Sequence, residues 1–466
     1  MRQSLKQQPS PLLVDGLDQR VCPGASLWIG GIGWAGWLKA CGVQPGDRIA
    51  VIVPNGRLFV LLFLACLRLD AVFCPVSERL PADEKQRQLD ALDAALVLRA
   101  DDERQAGPHL ALATDLAAPP AALAPLRPSL RGPCPELAVI MWSSGTSGNP
   151  RAIGLSAANL MAQVASHQAF LALDPASRIV SYLSWSHCFG FGVELLPALL
   201  AGAEIHTDPS GGRSPAALTS LAEQVRPTHL FSVPAVLEAL TRSPVAVAAW
   251  GRLVGGVVGG AFLTPVQAER LRKLGWPLRI GYGQTECSPG IALGEPGDLR
   301  AGYLGRPLGC DVQVDEVGEL LVRGPNVFTT LWAGPPPVMT DGWLRTGDLV
   351  TTDAAGELHG LGRRDDCFKL ANGRMVNPCL VEGELRKANP GVDTVLVVGS
   401  GLTMAVPLVA KLPAGWTVPV TLTVPLDAPV VRSAAFWTAC AAPGGKWLRR
   451  VADASWAGAD EVPDPL

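Results

Sequence analysis

Residues Trp142 to Ser156 read W-S-S-G-T-S-G-N-P-R-A-I-G-L-S. The run before them, Leu137-Ala138-Val139-Ile140-Met141, is short, continuous and apolar, as a buried strand is. A glycine- and hydroxyl-rich loop after such a strand offers backbone N–H groups and O–H donors to an anion. Ser143, Ser144, Thr146 and Ser147 supply hydroxyls, and Gly145 and Gly148 let the backbone approach closely. Arg151 adds a cation with a fork of donors. Alone, the same composition also describes a plain surface turn.

Outward from this loop, strands and helices alternate. Arg48 to Pro54 reads as a buried strand, Leu58 to Leu69 as an apolar helix, Ala71 to Pro75 as a strand, Pro81 to Leu92 as a polar helix and Ala95 to Arg99 as a third strand. Downstream come a helix over Ala157 to Leu171, a strand over Arg178 to Leu183 and a helix over Val193 to Leu200. Further strands follow at Thr228 to Val233, Val254 to Val258 and Leu278 to Ile280. This alternation predicts an α/β protein with parallel sheets covered by helices, and ligands beyond the C-terminal strand ends. Residues 300–360 carry short β-rich runs with turns, the pattern of a small barrel-like subdomain. The pattern resets at 363–366. The expectation is a large N-terminal domain over 1–363 and a small, mobile α+β domain over 364–466.

The chain has 466 residues, more than one core usually supports. It is 48% hydrophobic and 17% charged with net charge −3, so it has no general attraction for nucleic acid. Eleven scattered cysteines without a C-x-x-C spacing fit reduced thiols in a cytoplasmic protein. The longest apolar run, Leu58 to Leu67, is too short for a membrane span. There is no G-x-S-x-G and no H-E-x-x-H, which leaves hydrolase and zinc-protease readings without support. Gly31 to Gly36, G-I-G-W-A-G, formally matches a dinucleotide fingerprint and so keeps an NAD(P)-binding oxidoreductase as an alternative. No acidic residue closes the following strand, and a glycine-rich helix or turn is the expected structure there.

Four later segments share the polarity of a nucleotide site: Tyr282-Gly283-Gln284-Thr285-Glu286, Arg345-Thr346-Gly347-Asp348-Leu349, Gly362-Arg363-Arg364-Asp365-Asp366, and Gly444-Gly445-Lys446-Trp447. Singly, each has an ordinary structural reading. In this order, with the opening loop, they resemble the adenylate-forming superfamily of acyl- and aryl-CoA synthetases, peptide-synthetase adenylation domains and luciferases. The resemblance implies that a carboxylic acid attacks the α-phosphorus of ATP, giving an acyl-adenylate and pyrophosphate, and that a thiol then takes the acyl group. The thiol would be coenzyme A or, alternatively, the phosphopantetheine of an acyl carrier protein. A catalytically weak nucleotide-binding relative is a further alternative.

Carried over by motif, Ser143, Ser144, Gly145, Thr146, Ser147, Gly148 and Arg151 would hold the β- and γ-phosphates. Thr285 would contact the α-phosphate, and Glu286, with Thr146, would ligate Mg2+. Tyr282 would stack on adenine, with Gly260, Ala261 and Gly283 beside the nucleotide. Asp348 and Arg363 would hold the ribose, Asp365 would be the hinge, and Lys446 would bind the attacking carboxylate. Glu382 would be structural. His187 resembles a substrate-side residue of acyl- and aryl-CoA ligases, with a packed core histidine as the equal alternative. Cys188, Phe231, Gly259, Gly260, Ala261 and Gly281 would line a mostly apolar acid pocket. No Asp stands in S-H-C-F-G-F-G, which disfavours a free α-amino acid. The loop departs from the family at Pro150-Arg151-Ala152, where Pro-Lys-Gly is usual.

Overall fold

The structure, a computed structural model, describes residues 12–16, 21–100, 110–112, 132–143, 150–389, 392, 395–398, 400, 402–409, 417–418, 426 and 429–431. Ser144 to Gly148 and Lys446 lie outside them. The chain divides into two compact units, Met1–Val312 with Val322–Leu344, and Gln313–Leu321 with Arg345–Leu466.

The first unit holds two sheets. One has the order Thr330–Ala333, Arg151–Leu155, Val139–Ser143, Val72–Pro75, Arg48–Ile52, Leu96–Ala100, Leu110–Leu112. It is parallel from Val139–Ser143 onward, and its other edge is antiparallel. The second runs Tyr303–Pro307, Gly290–Leu293, Arg279–Gly283, Gly255–Gly259, His229–Ser232, Arg178–Ser181, Glu204–Thr207, Leu12–Val14, Val21–Pro23. Its middle strands are parallel. The expected α/β layering is therefore present, because continuous apolar strands such as Arg48–Ile52 are buried along their whole length.

The helix Arg57–Leu69 is buried from Arg57 through Leu67, which explains its lack of an apolar/polar alternation. Its Phe59 and Phe63 meet Phe73 of the first sheet and Phe191, which follows a strand of the second. The core thus joins both sheets through edge-on aromatic contacts. Arg48 is buried yet satisfied: its guanidinium donates to the carbonyls of Leu92 (2.9 Å), Asp93 (2.9 Å) and Gly132 (2.6 Å) and lies over Trp332.

Two local expectations change. G-I-G-W-A-G lies inside the helix Gly24–Ala40, so it makes no strand-to-helix phosphate turn, and the oxidoreductase alternative loses its only feature. The helix expected at Val193–Leu200 starts earlier, as a π-helical stretch Phe189–Leu195, and becomes α-helical only over Leu196–Ala201. In the second unit, Trp343–Thr352 pairs antiparallel with Leu358–Arg363, placing Asp348 opposite Arg363. Beyond it, Pro378–Ala388 packs with Val395–Val398 and Val406–Val409 around Val376, Val381 and Leu385.

Candidate active site

In the first unit, parallel strands end where the motifs lie. Ser143 closes Val139–Ser143, and its buried hydroxyl has no hydrogen-bond partner among the described residues. Gln284 follows the strand Arg279–Gly283, and its buried Nε2 likewise has no partner among the described residues. Buried polar atoms are normally satisfied, so two orphans at neighbouring motifs suit a polar ligand such as a nucleotide phosphate. Thr285 and Glu286 form a single 3-10 turn and are both buried. The Thr285 hydroxyl donates to Cys188 Sγ at 3.2 Å. Glu286 Oε1 accepts from Arg151 Nη1 at 3.2 Å, and Arg151 Nε donates to the Pro335 carbonyl at 2.9 Å. An acidic oxygen ligand beside hydroxyls is the donor chemistry that Mg2+ takes, so the residues fit the metal that the motif implies.

The turn is fixed from behind by residues that motif reading missed. Phe328 N–H donates to the Glu286 carbonyl at 2.8 Å. Ser288 Oγ donates to the Asn326 carbonyl (2.7 Å), and Asn326 Nδ2 donates to the Gly290 carbonyl (2.7 Å). Gln163 Oε1 accepts from Gly290 N–H at 3.2 Å. Gly290 has to be glycine here, since a Cβ would lie 2.3 Å from Gln163 Oε1 and 2.5 Å from His167 Nε2. Asn159, in the capping box of the helix Ala157–Leu171, donates to the carbonyls of Pro325 and Val327, both at 2.8 Å. One segment, 325–335, therefore holds the backbone of Glu286 and the side chain of Arg151. The sequence signal was available in the capping pattern Ser156 to Asn159, but not its long-range target.

Near the segment expected to face the acid, Asn55 Nδ2 donates to the Leu183 carbonyl (2.7 Å) and its Oδ1 accepts from Trp185 N–H (2.9 Å), pinning the turn before His187. His187 is exposed, which corrects the packed-core alternative, and its Nδ1 is 3.7 Å from Cys188 Sγ. Gly259 is closely approached by its neighbouring strand: a Cβ there would sit 2.6 Å from the Gly281 carbonyl oxygen and 3.7 Å from Phe189 Cζ. Phe231 is fully buried, whereas Gly260 is exposed and Ala261 and Tyr282 are half-buried. Behind this wall Glu194 is fully buried, accepting from Ser181 Oγ and, at 3.2 Å, from Trp185 Nε1. Burial pushes its carboxyl up to about 8.

In the second unit, Arg363 Nη1 donates to Asp348 Oδ1 at 2.7 Å and to the Thr346 carbonyl at 3.0 Å. Gly347 has φ +74°, and a Cβ would lie 2.7 Å from Arg363 Nη2, so glycine permits this pairing. Glu319 is fully buried and saturated. It pairs with Arg345, accepts from Arg364 Nη1 (2.6 Å) and accepts from Gly347 N–H (2.9 Å). Asp365 is exposed, 3.6 Å from Arg364 Nη2. Glu382 accepts from Val397 N–H at 2.8 Å.

Residues 34–332 match the family model described as AMP-binding enzyme. The chain belongs to the AMP-binding enzyme family. A feruloyl-CoA synthase from an Amycolatopsis species is 29% identical to it over 385 residues, covering 78% of each chain. An indoleacetate–CoA ligase from Aromatoleum aromaticum is 30% identical over 399 residues, covering 78% of this chain and 77% of that one. The fold is also that of O-succinylbenzoate coenzyme A synthetase from Bacillus subtilis, solved with ATP and a magnesium ion: TM-score 0.75 at 20% identity, over 96% of this chain and 98% of that one. As a member of the AMP-binding enzymes, the chain is an ATP-dependent acid–thiol ligase. Among the described residues, no helix is long and apolar enough to cross a membrane.

Proposed function

We propose that this enzyme activates an aryl or other largely apolar carboxylic acid and passes it to coenzyme A. The observation that carries the reading is the ion pair of the buried Glu286 carboxylate with Arg151 at the end of the parallel strands, beside the Ser143 hydroxyl and Gln284 Nε2, which have no partner among the described residues. In this reading Ser143 and Arg151, with Ser144, Gly145, Thr146, Ser147 and Gly148, take the leaving pyrophosphate. Thr285 donates to the α-phosphoryl oxygen. Glu286 and Thr146 hold Mg2+, which supplies charge neutralisation at the phosphates. Asp348, oriented by Arg363, accepts from the ribose hydroxyls, and Tyr282 lies against adenine with Gly260, Ala261 and Gly283 alongside. Lys446 orients the acid carboxylate, and His187 lies at the pocket mouth. Such a reaction is driven by positioning and charge stabilisation more than by covalent help.

Asp365 is the hinge of this scheme, and 364–466 is the small domain that moves about it. The acid class is supported by the apolar residues Phe189, Phe231 and Cys188 and by the aryl acids in the relatives' names. A cytoplasmic location fits the described cysteines, all free thiols. The test is pyrophosphate release with aromatic and fatty acids, with and without coenzyme A. Acid-dependent pyrophosphate with thioester formed on coenzyme A is expected. Adenylate formed with no transfer to coenzyme A, but transfer to a phosphopantetheinylated carrier protein, would replace the acceptor. No acid-dependent pyrophosphate with any acid would overturn the reading.

A further inference from the structure

We propose that Arg151 is a removable counter-cation for Glu286, filling its carboxylate before nucleotide arrives and turning to the phosphates when the metal is loaded. This rests on the assignment of Glu286 as metal ligand. Three observations carry it. The Glu286 side chain is 4% exposed, and Arg151 Nη1 at 3.2 Å is its one ion-pair partner among the described residues. A buried carboxylate with a single cation is held in place by that cation and is left uncompensated without it. Second, Arg151 is anchored at a different atom, Nε to the Pro335 carbonyl at 2.9 Å, which gives the planar guanidinium a held edge about which it can tilt as one rigid plate. A lysine has no donor at that point on its side chain. Third, Arg151 Nη2 has no hydrogen-bond partner among the described residues and its side chain is 22% exposed, leaving donors free for an oxyanion.

A divalent cation on Glu286 would meet the guanidinium as a like charge about as close as the pair is now, so the two compete for one carboxylate. Competition has a defined sign. In nucleotide-free protein, removing the guanidinium strengthens metal binding. In the ATP complex, it weakens nucleotide binding, because the phosphates lose a cation. The coupling is of the size usual between linked sites, roughly 5- to 150-fold.

The test is direct binding of Mn2+ by electron paramagnetic resonance, in full-length wild type, Arg151→Gln, Glu286→Gln and the double variant, without and with a non-hydrolysable ATP analogue. Arg151→Gln is expected to bind Mn2+ about tenfold or more tightly without nucleotide. The added Glu286→Gln substitution should remove that gain. Equal nucleotide-free Mn2+ affinity in wild type and Arg151→Gln overturns the exchange. Should Glu286→Gln leave Mn2+ affinity unchanged in the analogue complex, the metal-ligand assignment falls instead. If Arg151→Gln does not fold, Arg151→Lys keeps the charge without the anchor and is expected to show a smaller gain, about threefold. Affinity identical to wild type in that variant also overturns the exchange.

Discussion

Glu286 and Glu319, buried glutamates of the first and second compact units, differ in how fully their carboxylates are paired. Glu319 is fully buried and saturated, with two arginines on its carboxylate and the Gly347 N–H on Oε1. Glu286 is nearly as inaccessible but has a single ion pair among the described residues, where Ser143 Oγ and Gln284 Nε2 of the adjoining motifs also have no partner. A saturated buried carboxylate holds a hairpin together. An under-coordinated one keeps capacity for something that enters later. Burial alone does not distinguish structural from functional carboxylates; the count of partners does.

The sharpest way to break this comparison is Glu319→Ala. It would leave Arg345 with Asp315 alone, remove the carboxylate from Arg364 and the acceptor from the Gly347 N–H, and free the turn bearing Asp348, at a cost of about 1–3 kcal/mol in urea unfolding. A loss below about 1 kcal/mol would put Glu319 among ordinary surface pairs. Next in size is Asn326→Ala, which removes the donors that fix the carbonyls of Cys287 and Gly290 behind Glu286. A displaced catalytic turn should lower kcat for adenylation by about 10²-fold while the KM for the acid changes little. Equal losses in kcat and thermal stability would make Asn326 merely structural.

Asp348→Asn keeps the size but loses the charge-assisted bond to Arg363. The expected result is a rise of about tenfold in the KM for ATP, from weaker binding of the ribose. CTP or GTP should suffer equally, because both carry the same ribose.

A further effect concerns pH. Glu194 has a folded pKa raised to about 8, above the usual 4.5, so between those values the folded protein holds a proton that the unfolded chain releases. Stability therefore falls as pH rises from about 4.5 to about 8, and Glu194→Gln should flatten that slope. His167 has the opposite sense of charge: burial lowers it from 6.5 to about 4, so the unfolded chain binds the extra proton. Stability is lost as pH falls through 6.5 toward 4, and His167→Gln should remove that loss. Urea midpoints across pH 4 to 9 read both slopes.

The α/β layering was legible because strands such as Arg48–Ile52 are apolar without a break after their first residue, and turn residues fall at their ends. The roles expected of Thr285, Glu286 and Asp348 came from the order of several motifs together, since singly each segment has an ordinary structural reading. What could not be read was partnership across long stretches of chain. Asn159 bonds to carbonyls 166 and 168 residues away, and Arg151 meets Glu286 across 135 residues. No local spacing encodes such pairs. The π-helical start at Phe189 was also hidden, since its residues carry the same apolar pattern as an α-helix. The bonding of the Arg151 substitution, visible in the sequence only as a departure from Pro-Lys-Gly, became interpretable once its partners Glu286 and Pro335 were known.

The most direct measurement is acid-dependent exchange of labelled pyrophosphate into ATP by Glu286→Gln, run beside its thermal midpoint. The partner-count argument predicts exchange reduced by about 10²- to 10³-fold with a midpoint close to wild type, since the substitution removes a charge held for a ligand. Exchange within a few fold of wild type, or loss of exchange accompanied by the unfolding expected of Glu319→Ala, would contradict it.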